Sequence, residues 1–220
     1  MTLAVFAVVS YWSANYIARM KIMRIVISGK LFLAAFIACG LVRLAGAGEP
    51  TAFQLIKLGN DYVGKDARDK VVQIRSEKSI GSLTPEIWFV VYYDADASLK
   101  ATEVRFAAGK KADVKRPFRV LEYVKADKVF DKAKLKVDSD AAIKTAAAEP
   151  LLKNLTLKAT QLWLDSNLKF DLSVEGPVWK VRLWAAKLKN PNDNAEVGDV
   201  YISAADGTVL KSDLHINRVD

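Results

Sequence analysis

The chain of 220 residues contains one cysteine, Cys39, and one histidine, His215, and these two scarcities remove whole classes of chemistry. A single thiol forms no disulfide within the chain, so no cysteine framework staples the fold. Nucleophilic triads and histidine-based zinc sites lack their parts. His215 lies near the C-terminus in "DLHINRVD" and reads as a surface residue. None of the 11 glycines stands in a G-x-G-x-x-G or G-x-x-x-x-G-K arrangement, so there is no phosphate-cradling loop. No catalytic residue, cofactor or metal is expected. The longest apolar run also falls short of the ~20 residues that a membrane-spanning helix needs.

Acidic residues are missing from the first 47 positions, which hold Arg19, Lys21, Arg24, Lys30 and Arg43. The formal net charge of +8 belongs mostly to that segment: the remainder has 28 basic against 25 acidic residues, or +3. That is an ordinary surface balance and gives no reason to expect a nucleic-acid partner. With 51% hydrophobic and 26% charged residues, the chain has the composition of a folded globular protein of one or two domains.

Lys21, Arg24 and Lys30 precede the apolar run "LFLAAFIACGLV" at 31–42, and "AGA" at 45–47 supplies small residues for cleavage. Residues 1–47 are therefore expected to be an export signal region cleaved after Ala47, with Met20 or Met23 as a start that gives a signal of ordinary length. A second reading stays open, because "FIAC" at 36–39 followed by Gly40 is similar to a bacterial lipobox and would leave a lipoprotein anchored at Cys39. In either case the mature chain is expected in the periplasm or outside the cell, touching membrane only through the signal or that anchor.

The stretch "TAFQLIKLGNDYV" at 51–63 puts Ala52, Ile56, Gly59 and Val63 on one helical face. A second helix is expected in "DSDAAIKTAAAEP" at 138–150, with Ser139 as N-cap, Asp140 in the first turn and Pro150 as the stop. Each helix is followed by strand-like runs: "VVQIRSEKSI", "PEIWFVVYYD" and "ATEVRFAAG" after the first, "LTLKATQLWL", "LKFDLSV", "PVWKVRLWAAK" and "DVYISAADGTVL" after the second. Trp88 follows Pro85 as Trp179 follows Pro177, and a glycine closes each half, Gly109 and Gly207. The pattern predicts an α+β fold of two tandem repeats, each one helix packed on an antiparallel β-meander. The first repeat is placed at 48–124 and the second at 138–220, with a Lys- and Asp-rich linker at 125–137.

The order helix, "PVWKVRLW", "DVYISAADGTVL" resembles the PepSY domain, which ends in an Asp-containing strand, a Thr-Gly turn and a short apolar strand. The resemblance covers 138–214 and extends more weakly to 51–114. It departs from the pattern at Ser203, where the family carries Asp, and at Asp206-Gly207, where it carries Thr-Gly. PepSY domains are cystatin-like in shape and occur as export-associated modules and in the propeptides of thermolysin-like metallopeptidases. The resemblance implies a binding or inhibitory module without catalytic activity.

Three polar stretches have plain readings. Asp206-Gly207 sits between alternating apolar runs and fits a two-residue type I′ hairpin turn; Asp199, Asp206 and Asp213 are too spread along such a hairpin to gather around a cation. "NPNDNAE" at 190–196 reads as a solvated loop, since it lacks the glycine and the distal acid of a calcium loop. The basic run from Lys110 and Lys111 through Lys115 and Arg116 to Arg119 reads as a guarded strand edge.

The aromatic residues carry the functional expectation. Trp88, Val90 and Tyr92 face one way on their strand, and Ile87, Phe89, Val91 and Tyr93 face the other; Lys180, Arg182 and Trp184 oppose Trp179, Val181 and Leu183. Either these rings are buried between packed layers, or Trp88, Tyr92, Trp179 and Trp184 form a binding surface. The function expected is an exported, non-catalytic binding module for an extracytoplasmic protein, with an envelope protease among the partner classes. The alternative is a binder of sugars or small amphipathic ligands stacked on tryptophan.

Overall fold

The computed structural model describes residues 49–97, 99–116, 125–166 and 176–220. The expected export segment with Cys39, the expected strand at 168–174 and Arg119 of the basic run lie outside the described residues.

Helix α1 (Ala52–Gly59) is followed by the strands β1 (Val71–Ser76), β2 (Ile87–Tyr93), β3 (Ala101–Ala107) and β4 (Lys110–Lys115). Helix α2 (Ser139–Ala147) is followed by β5 (Leu157–Asp165), β6 (Val178–Ala186), β7 (Asn194–Ser203) and β8 (Val209–Leu214). The expected pair of tandem helix-on-meander repeats is corrected by the sheet: all eight strands form one antiparallel sheet in the order β4-β3-β2-β1-β5-β6-β7-β8. One hydrophobic core runs beneath it and includes both helices. The physical reason lies at β1 and β5. In separate meanders each would be an edge with unpaired backbone; here each covers the other.

That seam is short in regular bonding and extended by side chains. Gln73, Ile74 and Arg75 lie opposite Asp165, Leu164 and Trp163. Beyond them Ser76 Oγ accepts from Leu162 N at 2.9 Å and Ser79 Oγ accepts from Thr160 N at 2.8 Å. All three hydroxyl residues involved, Ser76, Ser79 and Thr160, are buried, so these bonds satisfy donors that water cannot reach.

The helices meet at their N-termini. Asp138 is the N-cap of α2, one residue earlier than the sequence suggests, and its Oδ1 accepts from Ser139 N at 2.7 Å. This leaves the Ser139 hydroxyl free to serve the other helix: it accepts from Ala52 N at 3.0 Å, while Asp138 Oδ1 also accepts from Phe53 N at 3.1 Å. The first N–H groups of α1, which no helical carbonyl can satisfy, are thus capped from α2. Both helices cover the same face of the sheet, α1 over β2 and α2 over β5 to β7. Leu55, Ile74, Leu162, Leu164 and Val181 are fully buried between the layers, each contributing roughly 1.5–3 kcal/mol.

The β7–β8 turn differs from expectation. Gly207 is left-handed at φ +79°, but Asp206 is not, so the pair is not a type I′ centre. The loop is longer: Gly207 N donates to Ser203 O and Ser203 N to Thr208 O, both at 2.9 Å. Asp206 Oδ1 accepts from Thr208 N at 3.0 Å, and only the last loop position needs positive φ.

Candidate functional site

Three of the four aromatic residues expected at a binding surface lie in the core. Trp88 is 2% exposed and Tyr92 and Trp179 are fully buried. The polar end of each ring is bonded to backbone: Trp88 Nε1 donates to Pro85 O at 2.8 Å, Tyr92 Oη to Ile56 O at 2.9 Å, and Trp179 Nε1 to Val137 O at 2.8 Å. Trp179 also stacks on Phe53 with ring centroids 6.3 Å apart. Burial, reinforced by the charges of Asp69 and Asp61, pushes the Tyr92 hydroxyl pKa well up. These rings join helices to sheet. Trp184 alone points outward, with Lys78 Nζ 4.5 Å above its ring and also donating to Asn194 Oδ1 at 2.7 Å. A shallow open groove of about 700 Å³ lies beside Lys78, between the exposed Ile80 and the start of β5.

The face away from the helices carries a more ordered arrangement. Strand register places Asp113, Arg105, Phe89 and Arg75 side by side on β4, β3, β2 and β1. The row continues through Trp163, Lys180, Tyr201 and Lys211 on β5, β6, β7 and β8. From Arg105 to Lys211, cation and ring alternate on every strand. Arg75 sits 4.3 Å from the Phe89 centroid and Arg105 5.8 Å from it; Lys180 lies 5.3 Å from Trp163 and 5.9 Å from Tyr201. Each is within cation–π range. The row faces outward because its neighbours along the strands, Ile74, Val90, Leu162 and Val181, are the buried residues.

Carboxylates brace these cations. Both terminal nitrogens of Arg75 donate to Glu103 Oε2, at 2.7 and 3.0 Å. Arg182 grips Asp199 with Nε and Nη2 at 2.8 and 3.1 Å, and Lys180 Nζ lies 3.0 Å from Asp199 Oδ2. Burial alone would raise the Asp199 pKa, but hydrogen bonds from Arg182 and Lys180 outweigh it and hold the carboxyl below the usual range. A bulge helps build this cluster. Register slips between Leu183 and Trp184, which turns Val197 into the core and leaves Glu196 outside, 3.5 Å from Arg182. The next residue, Gly198, has φ +123° and presses against the Asp213 carbonyl of β8.

The remaining candidates separate cleanly. His215 Nε2 lies 3.4 Å from Asp213 Oδ1, with both side chains half exposed. Asn190 and Asp193 close a turn on each other, and Asn194 has joined β7. Among the described residues no three of His, Cys, Asp and Glu gather in a metal-binding group. The basic stretch at Lys110, Lys111 and Lys115 is an edge strand, exposed over most of its length.

Sequence reasoning passed over Trp163 and Tyr201. The signal was present in "LWL" and "VYI", where each ring stands between two apolar residues that take the core side. No protein-family model, curated protein or solved structure matches this chain.

Proposed function

We propose that the protein is an exported, non-catalytic binding module that takes an extended segment of another extracytoplasmic protein onto the free edge of β8. Export rests on the charged, apolar and small-residue order of residues 1–47. The PepSY resemblance of 138–214 favours a partner such as an envelope protease. The observation that carries the reading is the state of the β8 edge. His215 N donates to Val197 O at 2.7 Å, and the antiparallel ladder alternates from there. Asp213 and Lys211 therefore bond inward to Asp199 and Tyr201, while the N–H and C=O groups of Ser212 and Leu214 turn outward. Among the described residues no backbone hydrogen bond reaches them. The opposite edge, β4, is guarded by Lys110, Lys111 and Lys115, a common defence against strand pairing. β8 is less guarded, and strand addition supplies backbone hydrogen bonds for affinity.

Ser212→Pro tests this reading, because it deletes an outward donor while leaving the β7 ladder intact. An extracytoplasmic extract passed over wild type, Ser212→Ala and Ser212→Pro should yield a protein held by the first two and lost from the third. Equal retention on all three refutes strand addition at β8.

A further inference from the structure

We infer that one end of the sheet docks on an anionic phospholipid surface, with aliphatic side chains entering the headgroup layer between lysines. At this end β1, β3, β6 and β8 finish and β2, β4, β5 and β7 begin. Its connections carry the three most exposed large apolar residues among the described ones: Ile80 at 84%, Leu188 at 62% and Leu151 at 54%. Ile216, also exposed, joins them in the turn after β8, where Val219 O accepts from Leu188 N at 2.7 Å. Single exposed aliphatic residues are ordinary on a protein surface. Separate connections that bring theirs to one end are not. The loop holding Ile80 is also fixed in place: Ser79 N donates to Thr160 O at 2.8 Å, Ser79 Oγ to Ser82 O at 2.6 Å, and Thr160 Oγ1 to Leu83 O at 2.6 Å. Ile80 is therefore held out in water by a rigid support, and burying it in lipid requires no ordering of the loop.

Charge points to the occupant. Lysine flanks each of the three most exposed residues: Lys78 precedes Ile80, Lys153 follows Leu151, and Lys187 and Lys189 stand on either side of Leu188. Lys158 lines the groove beside Ile80. Among the described residues none of these lysines is ion-paired, because Glu77 and Glu196 face Arg105, Arg182 and Arg218 instead. The carboxylates left in these connections, Glu86, Glu149 and Asp193, are fewer than the lysines. The centre of a protein–protein interface favours aromatic residues and is poor in lysine; aliphatic tips set among unpaired lysines suit acyl chains beneath anionic headgroups. The chain's entry agrees. Pro50 sits against Gly109 in the β3–β4 turn, which is one of the connections at this end. From Cys39 to Glu49 an extended chain reaches at most about 35 Å, so an anchor at Cys39 would keep this end near the bilayer. The contact is additional to the signal or anchor. β4 and β5 run away from this end, so Arg116 and Ser166, where the described residues break off, lie at the other.

Vesicles test this on the full chain carrying Cys39→Ser, which removes the only native thiol and any lipid attached to it. An environment-sensitive dye is placed through Ile80→Cys, or through Ala95→Cys in the exposed β2–β3 turn at the other end. With vesicles of equimolar phosphatidylcholine and phosphatidylglycerol the dye at position 80 should shift to the blue, and with phosphatidylcholine alone it should not. The dye at position 95 should stay unshifted in both. Lys187→Gln with Lys189→Gln should lower the ratio of lipid-inserted to water-exposed label at position 80 about twentyfold. Lys134→Gln, beside Gly176 at the other end, should leave that ratio unchanged. The dye reports where this end lies, so its reading holds whether or not residues 1–47 stay attached and tether the chain. The inference does not rest on strand addition at β8, and Ser212→Pro should leave the shift as it is. An unshifted dye at position 80, equal shifts at positions 80 and 95, or an unchanged ratio in the paired lysine variant overturns the proposal.

Discussion

Replacing Gly59 by Ala tests how tightly α1 sits on the sheet. A methyl group at this position would overlap the Tyr92 hydroxyl, the atom that donates to Ile56 O. Backbone and core surround both partners, and Tyr92 is fully buried, so neither moves cheaply. Overpacking of this kind costs about 1–3 kcal/mol, against a gain of roughly 0.5–1 kcal/mol from alanine's better helix propensity. The net expectation is a loss of about 1 kcal/mol. Tyr92→Phe alone should cost about 1 kcal/mol for the lost hydrogen bond, because Ile56 O keeps a second donor in Asn60 N. The double variant decides the matter. Without the hydroxyl, the nearest ring atoms to the new methyl lie at 3.1 and 3.3 Å, tight but tolerable, so Gly59→Ala with Tyr92→Phe should be more stable than Gly59→Ala alone. The coupling should be about 2 kcal/mol in the rescuing direction, well beyond the few tenths found for independent sites. Urea melts followed by the fluorescence of buried Trp88 and Trp179 would measure it, at constant m-value. Additive losses, or a double variant weaker than either single one, would show that this contact does not exist.

Two further perturbations probe the outer face. Gly198→Ala should cost about 3 kcal/mol or more, because the residue sits at φ +123° and an added methyl would run into the Asp213 carbonyl; an unchanged melting temperature would contradict the bulge. Asp199 has a folded pKa below its unfolded value, so its contribution to stability is complete above about pH 4 and is lost as pH falls through the folded value. Urea midpoints taken from about pH 5 down to 2 should therefore fall less steeply in Asp199→Asn than in wild type, with Asp69, also lowered, supplying part of the residual slope; parallel curves would show that the Asp199 cluster is not formed.

Local features were legible in the sequence because their causes are local. The apolar spacing of Ala52, Ile56 and Gly59 marks α1, and the alternation around Trp88, Val90 and Tyr92 assigns those three to one face. The edge character of β4 follows from its lysines. What the sequence withheld is nonlocal. Pairing of Arg75 with Trp163 joins residues whose neighbourhoods carry no mark of each other, so two meanders and one continuous sheet share the same local pattern. The same limit governed the site: alternation shows that Trp88 and Phe89 face opposite ways, but not which way the helices lie. Of the two readings that alternation leaves open for these rings, burial between layers holds for Trp88, Tyr92 and Trp179, and nothing local marks Trp163 and Tyr201 as the rings of the outward row. Asp138 displaced Ser139 as cap for a similar reason, since the serine hydroxyl is bound to Ala52 of the other helix.

That crossed capping bears on biosynthesis. A chain made from its N-terminus completes β1 to β4 well before residues 138 and 139 emerge, yet the donors of Ala52 and Phe53 must wait for them, 87 and 85 positions on. The strand that will cover β1 comes later still. Until then the earlier half has unfinished helix ends and an open inner edge, the condition in which nascent chains are held by chaperones or pair with a neighbour. Loop closure over such distances is slow. Cleavage within 125–137 before synthesis ends would therefore leave the first half without its cap and without its neighbouring strand, and ready to be degraded.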